Sequence, residues 1–367
     1  MKICHVTSLH PVNDGRIFDK ECKSLSKKYE VYLVAPNTET RLEKGIHIIG
    51  VSLPAVNQRI QRWIKLKRIL KPLYDIDADV YHFHDPELIR IGLRLKKRGK
   101  KIIFDSHEDV PMLILSKQYI PCRRFVSKIY ALYEKHILKQ YTALVSVTVH
   151  IVDRLKKVNP NTYQITNYPK YEERTSAPWD RGRNICFAGL LVKNWMLENI
   201  IEVLPQVNAN MYLAGRYATE DYLNEMKALP GWKNVSFMGT LPHSKVIDLY
   251  NKSTLGLAIE SYDNPNAGYK TGSLGCTKIP DYMASGIPVI VSDSLVWGGI
   301  VRKYDCGVVV EDPNNKEEIA RAINSILDNS NRAKEMGENA LKAAKEEFNW
   351  DSQEKVLLEM YHNILGE

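Results

Sequence analysis

The 367-residue chain lacks any window of about 18 unbroken apolar residues, the length a helix needs to cross a bilayer, so no segment reads as membrane-spanning. It lacks a C-x-x-C pair. Its six cysteines, at positions 4, 22, 122, 186, 276 and 306, are scattered, which argues against a zinc site or a disulfide framework and for a reducing cytoplasm. Neither HPVNDGR nor FAGLLVK supplies the G-x-G-x-x-G turn that a two-domain dehydrogenase places after a strand. The N-terminal MKICHVTSLH holds one lysine and a short strand-like run but no long apolar core, so a secretory signal is not expected. There is no internal repeat, no low-complexity tract, and no recognised nucleic-acid-binding motif, so nucleic acid is not expected as a partner.

What is present is a globular composition, 44% hydrophobic and 26% charged, on a chain long enough for two cores. The net charge of +8 is unevenly spread. Residues 1–180 carry 32 Lys+Arg against 19 Asp+Glu, whereas residues 181–367 carry 19 against 24. The basic N-terminal half is suited to an acidic polymer or an anionic membrane surface. Within it NQRIQRWIKLKRILKPL, residues 57–73, places Ile60, Trp63, Ile64 and Ile69 or Leu70 on one helical side with cations among the polar positions. That pattern describes either an interfacial helix or a surface helix packed on its own sheet.

Strand and helix patterns alternate almost throughout. KICHVTS, EVYLVAP, DVYHFH, KIIFDS and TALVSVT read as strands, separated by helices over 16–28, 58–73, 86–97 and 122–140. Periodicity fades over 167–183, where turn formers and charges gather as a linker. It then restarts with NICFAG, MYLAG, NVSFMG, LGLAIES, PVIVSD and GVVVED, with helices near 195–204, 218–228, 243–251, 315–328, 331–347 and 348–365. This is the signature of two Rossmann-like, doubly wound parallel sheets in tandem, whose strand ends at reversals of strand order are where ligands bind.

The stretch CTKIPDYMASGIPVIVSD, Cys276 to Asp293, reads as loop, helix and strand. Pro280 is tolerated in a first helical turn, Gly286 ends the helix, and Pro288 prevents its continuation into the strand. This stretch resembles the P-x-K-L-F-E-Y-M-A-x-G-x-P-V-I segment of glycosyltransferase family 4, enzymes of the GT-B fold. FAGLLVKNW resembles that family's F-x-G-R-L-x-x-x-K segment. HPVNDGRIFDKE, HFHDPELIRIGLRLKKRGKKIIFDSHED and VTVHIVDRLKKVNP resemble N-domain stretches of bacterial surface-polysaccharide transferases. The resemblance implies a GT-B chain with an acceptor-side domain over 1–168, a nucleotide-sugar domain over 169–349, and a C-terminal helix, 350–367, crossing back to the first. It implies a metal-independent, retaining transfer of sugar from a nucleotide diphosphate donor to a polysaccharide or lipid-linked glycan, with no cofactor. The setting implied is cytoplasmic, or peripheral on the inner face of the plasma membrane. The two halves would close on the donor.

The resemblance also assigns residues. Asp281 takes the place of the glutamate that accepts the ribose hydroxyls, or is simply an acid favoured in a first helical turn. Ser273, Leu274, Gly275, Cys276 and Thr277 would turn backbone N–H groups toward the diphosphate, with Ser273 standing where the family has a glutamate. Lys193, Lys278 and Arg216 are the candidate cations for the phosphates, and Leu190 takes the family arginine's place. Thr240 and Leu241 would lie by the base, and Gly15 would let backbone approach the donor. His107 is the expected catalytic histidine. His84 and Asp85 are acceptor-side candidates, and His82 is a core histidine. Asp14 and Arg16 either meet the acceptor or pair with each other. A relative that binds nucleotide sugar without turnover is the alternative, motivated by Ser273 and Leu190.

Overall fold

In a computed structural model, which describes residues 1–55, 57–171, 181–264 and 267–367, the chain divides into two units. One comprises Met1–Asn167 with Gln353–Glu367, and the other Tyr168–Ser352. Of the 167–183 stretch, residues 172–180 lie outside the described residues.

The first unit is built on an eight-stranded sheet. Its strands are β1 (Lys2–Val6), β2 (Glu30–Pro36), β3 (Arg41–Glu43), β4 (Ile46–Val51), β5 (Val80–Phe83), β6 (Lys101–Ser106), β7 (Ala143–Ser146) and β8 (Thr162–Gln164). They lie in the order β3-β4-β2-β1-β5-β6-β7-β8, parallel except for β3 on β4. The order reverses between β1 and β5. Period-two alternation sorts the side chains there: Cys4, Val6, Tyr81 and Phe83 enter an apolar core on one face. His5, His82 and His84 fall on the other, with His5 directly opposite His82 in register. The last helix, Trp350–Leu365, contributes buried Leu357, Met360 and Tyr361.

Two sequence expectations change here. The helix over 16–28 is a wide π-type turn, Ile17–Cys22, running into a single α-turn, Lys23–Leu25. Its wider winding buries Glu21 together with Ile17, Phe18 and Cys22. The 57–73 stretch is not one continuous helix either. It breaks into helices Arg59–Lys65 and Leu70–Ile76 around a 3₁₀ segment, and Leu66, Ile69 and Leu73 join the core. Arg62, 4% exposed, bonds Glu87 and the Pro54 carbonyl. The side chains of Arg59, Ile60 and Trp63 lie outside the described residues.

The second unit has an all-parallel six-stranded sheet of β9 (Asn184–Ala188), β10 (Asn210–Ala214), β11 (Val235–Phe237), β12 (Leu255–Ala258), β13 (Val289–Ser292) and β14 (Gly307–Val310). The order is β11-β10-β9-β12-β13-β14, the dinucleotide-fold order with its reversal at β9/β12. Ile185, Phe187, Met211 and Leu213 pack into one core, and Cys186, Ala188 and Ala214 into another on the opposite face. Helices therefore cover both faces, and the carboxyl edge of the sheet is the side left for a ligand.

Candidate functional site

That edge carries a cavity of about 350 Å³ at the ends of β9, β10 and β11. Gly189, Leu190, Gly215, Arg216, Thr240, Leu241, Thr277, Lys278 and Asp281 line it, with Val246 and Tyr250 among the apolar walls. Residues from four separate loops meet here because each parallel strand delivers its following loop to the same side. A Cβ on Gly215 would lie 1.7 Å from the Gly189 carbonyl oxygen, so the two strand-ending loops can touch only with glycine at that position. Asp281 sits in the first turn of helix Lys278–Ala284, its Oδ2 3.7 Å from His243 Nε2. Lys278 Nζ lies 3.3 Å from the centre of the Trp195 ring and 4.9 Å from that of Phe187. Burial pulls its pKa below the ordinary lysine value, against the opposing pull of Cys276, Glu260 and Asp281.

Arg216, Thr240, Leu241, Thr277, Lys278 and Asp281 are thus brought together. Lys193 is not. It opens a 3₁₀ turn, Lys193–Trp195, that points Trp195 toward Lys278 and leaves Lys193 exposed in an ion pair with Glu225 at 2.8 Å. Lys193 lines instead a separate cavity of about 590 Å³ with Asn194, Glu198, Tyr262 and Asp263. The loop before Thr277 also differs from expectation. Gly275 N–H donates to Ser273 Oγ at 3.0 Å and Cys276 N–H to the Ser273 carbonyl at 3.2 Å, so both are used within the turn. Trp297 Nε1–H fixes the same carbonyl at 2.8 Å. Ser273, Leu274 and Gly275 are absent from the cavity lining, and Cys276 faces a small void beside Trp297. His243, Trp195 and half-buried Glu260, which accepts from Asn264 at 2.6 Å, were not singled out from sequence. The position of Trp195 directly after the strand-ending glycine's loop was the one signal available.

The first unit's polar residues form a buried network at the β1/β5 reversal. Arg16 donates from Nε and Nη2 to Asp105 Oδ2, at 3.0 and 2.6 Å, and from Nη1 to the Ile165 carbonyl at 2.8 Å. It also lies 3.0 Å from Glu21. Arg16 is therefore committed within the unit, neither facing outward nor paired through its side chain with Asp14. Asp14 instead caps the π-type turn, accepting from the N–H groups of Arg16 and Ile17 and lying 3.3 Å from His10 Nδ1. Asp85 accepts from Thr7 Oγ1 and from the N–H groups of Ser8 and Leu9, which ties the loop after β1 to β5. A Cβ at Gly15 would meet nothing within 4 Å, so space does not require glycine there.

His84 is buried, sharing a proton with His5 at 2.9 Å and contacting His107 at 3.3 Å. Tyr361 OH lies 2.9 Å from His82 Nδ1 and 3.3 Å from His5 Nε2. His107 alone among these four histidines keeps an exposed edge, 21%. Burial lowers its pKa to about 4, opposed by Asp105 at 3.5 Å. Burial raises Glu21 to about 7 against the pull of Arg16.

Comparison with known proteins matches the two units in turn. The model of glycosyltransferase family 4 fits residues 17–165 and that of group 1 glycosyl transferases fits 170–343. An uncharacterised glycosyltransferase of Methanocaldococcus jannaschii is 25% identical over 95% of this chain and 94% of its own. Among solved structures, sucrose-phosphate synthase from Thermosynechococcus elongatus superposes over 100% of this chain and 99% of its own, with a TM-score of 0.76 at 14% identity. WaaG, a glycosyltransferase of lipopolysaccharide biosynthesis, covers both chains fully with a TM-score of 0.71 at 14% identity. Anabaena HepE in complex with UDP and glucose matches 99% of this chain and 100% of its own, with a TM-score of 0.71 at 12% identity.

Proposed function

We propose that this chain, a glycosyltransferase of the GT-B fold by its two successive family matches, moves a sugar from a nucleotide diphosphate donor to a polysaccharide or lipid-linked glycan acceptor with retention at the anomeric carbon. The observation that carries the reading is the convergence of Asp281, Lys278 and Arg216 with Thr240 and Leu241 in one cavity at the strand ends of the second unit. Asp281 accepts both ribose hydroxyls, which an ionised carboxylate can do at once. Lys278 and Arg216 take the diphosphate charge, and a buried cation acts there through a low dielectric. No metal is needed for that task. Leu241 and Thr240 stand beside the base of the nucleotide; HepE, of like fold, has been solved in complex with UDP. His107, with its exposed edge, serves transfer rather than nucleotide binding. Retention proceeds on the front face, the leaving phosphate helping to deprotonate the acceptor hydroxyl.

The test is a panel of nucleotide sugars, scored by donor hydrolysis, by transfer, and by the anomeric configuration of the product. One donor is expected to turn over with retention; an inverted product would sink the retaining mechanism. Tight nucleotide binding with no turnover on any donor would favour the silent alternative, a nucleotide-sugar-binding assembly subunit.

A cytoplasmic enzyme working on a lipid-linked acceptor meets its substrate at a membrane surface, and the helix Arg123–Leu138 suits that contact better than the 57–73 stretch. Phe125, Ile129 and Leu132 are 65%, 51% and 69% exposed on it, beside exposed Arg124, Lys128 and Lys135. Its single acid, Glu134, is buried against Arg154. Apolar side chains framed by cations favour an anionic bilayer. The full chain should co-sediment with phosphatidylglycerol vesicles and not with phosphatidylcholine vesicles. Phe125→Ser with Leu132→Ser should release it, and equal binding by that variant would remove the helix from the contact.

A further inference from the structure

The histidine network contains a set of groups that the transfer reaction leaves without a task. His5, His82, His84 and Glu21 each offer one ligand atom, and these four atoms lie within 4.8 Å of one another. We infer that they form a buried site for one divalent transition-metal ion of the zinc type, which braces the β1/β5 reversal of the first unit.

Three observations support the assignment. The first is spacing. His5 Nδ1 and His84 Nε2 are 2.9 Å apart, and Glu21 Oε2 lies 3.7 Å from the former and 3.9 Å from the latter. Ligands about 2.0–2.1 Å from a tetrahedral zinc lie roughly 3.3 Å from each other, so these three atoms need only small adjustments to share one ion.

The second is unmet demand. Glu21 and His82 are both fully buried, yet among the described residues neither Oε2 of Glu21 nor Nε2 of His82 has a hydrogen-bond partner, and Oε1 of Glu21 has only its ion pair with Arg16. Buried polar atoms normally have one, and orphaned atoms call for an occupant. Two carboxyl groups, Glu21 and Asp105, face the one guanidinium of Arg16, which is hydrogen-bonded to Asp105, so Glu21 retains an oxygen for a second cation.

The third is the layer behind the ligands. His5 Nε2 and His82 Nδ1 both meet the Tyr361 hydroxyl, and His84 Nδ1 faces His107 and, at 3.7 Å, Asp105. Metal-bound histidines characteristically have the second ring nitrogen held by such a partner, which fixes the ring and its tautomer. Nitrogen donors with one carboxylate select zinc or cobalt over magnesium or calcium, which prefer oxygen. The ion would join a residue of β1, one of β5, His84 just after that strand and one of the π-type turn, with Tyr361 of the last helix behind them. Its role is structural, and none of its four ligands lines the cavity of the second unit.

The test uses the full-length chain, stripped with chelator and titrated with Co²⁺ and with Zn²⁺. The wild type should retain about one ion per chain after dialysis, show the visible absorption of four-coordinate Co²⁺, and melt at a higher temperature when loaded. X-ray absorption on the zinc form should report histidine nitrogen in the first shell and no sulfur. Glu21→Gln, which keeps the side chain's shape, and His82→Ala should each lose stoichiometric binding. If His82→Ala fails to fold, the wild-type spectra and Glu21→Gln decide the matter. Absence of retained metal in the folded wild type, or binding unchanged in Glu21→Gln, overturns the assignment.

Discussion

The two units share a doubly wound parallel sheet and a reversal of strand order, and they treat the strand ends at that reversal in opposite ways. In the second unit the ends of β9, β10 and β11 stay open, and Arg216, Lys278 and Asp281 line a cavity. In the first unit, polar groups fill the corresponding ends with each other: Arg16 on Asp105, Asp85 on the loop after β1, His84 between His5 and His107. One sheet edge keeps a lined cavity open, and the other holds charged residues that have been taken out of water. A charged residue at a strand's carboxyl end therefore reads as facing an open cavity only when its partners within the same unit have been checked.

The largest effect is expected at Arg16. Arg16→Ala leaves Asp105 and Glu21 buried without their cation, and should cost about 3–5 kcal/mol of stability, read from urea unfolding. A cost under about 1 kcal/mol would mean that the network is not a buried structural unit. Next in size is Gly215→Ala, whose new methyl would collide with the Gly189 carbonyl. It should destabilise by about 1–3 kcal/mol and weaken nucleotide binding together, since the same contact shapes the cavity. Loss of stability with intact affinity would separate the two loops from the site.

The smallest effect is a pH dependence at His10, which faces Asp14, Asp85 and the His107 ring, with Asp105 further off. Its pKa is raised, chiefly by the bond to Asp14. A raised histidine stabilises fully below its unfolded value of about 6.5, and that contribution fades as pH climbs through the higher folded value. His10→Gln should therefore be less stable than the wild type at pH 6, by under about 1 kcal/mol, with the gap closing toward alkaline pH. A gap that widened with pH would reverse the sign and refute the pairing.

The second unit's site was more legible in the sequence than the first unit's network, for a physical reason. Thr277, Lys278 and Asp281 are contiguous in one helical turn, and Arg216 follows a strand-ending glycine, so local pattern alone places them. The network depends instead on partners far apart in sequence: Arg16 with Asp105 across 89 positions, and Tyr361 with His82 across 279. Glu21 was hidden because a regular α-helix was assumed where the chain winds as a π-type turn. Lys193 was misplaced for the converse reason. Its spacing from Gly189 suits the cavity, but the 3₁₀ turn sends Trp195 inward and Lys193 out to Glu225. The parallel sheets themselves were plain from alternating apolar runs, while the break of the 57–73 helix followed from core contacts of Leu66, Ile69 and Leu73 that periodicity alone does not fix.

If the second unit's cavity holds the donor's nucleotide through Asp281, calorimetric titration of the full chain with nucleoside diphosphates should show it. Asp281→Ala should weaken the preferred nucleotide by roughly 1–3 kcal/mol, the worth of hydrogen bonds to a charged group, while Lys193→Ala leaves affinity unchanged. Unaltered binding by Asp281→Ala, or a loss confined to Lys193→Ala, would contradict it.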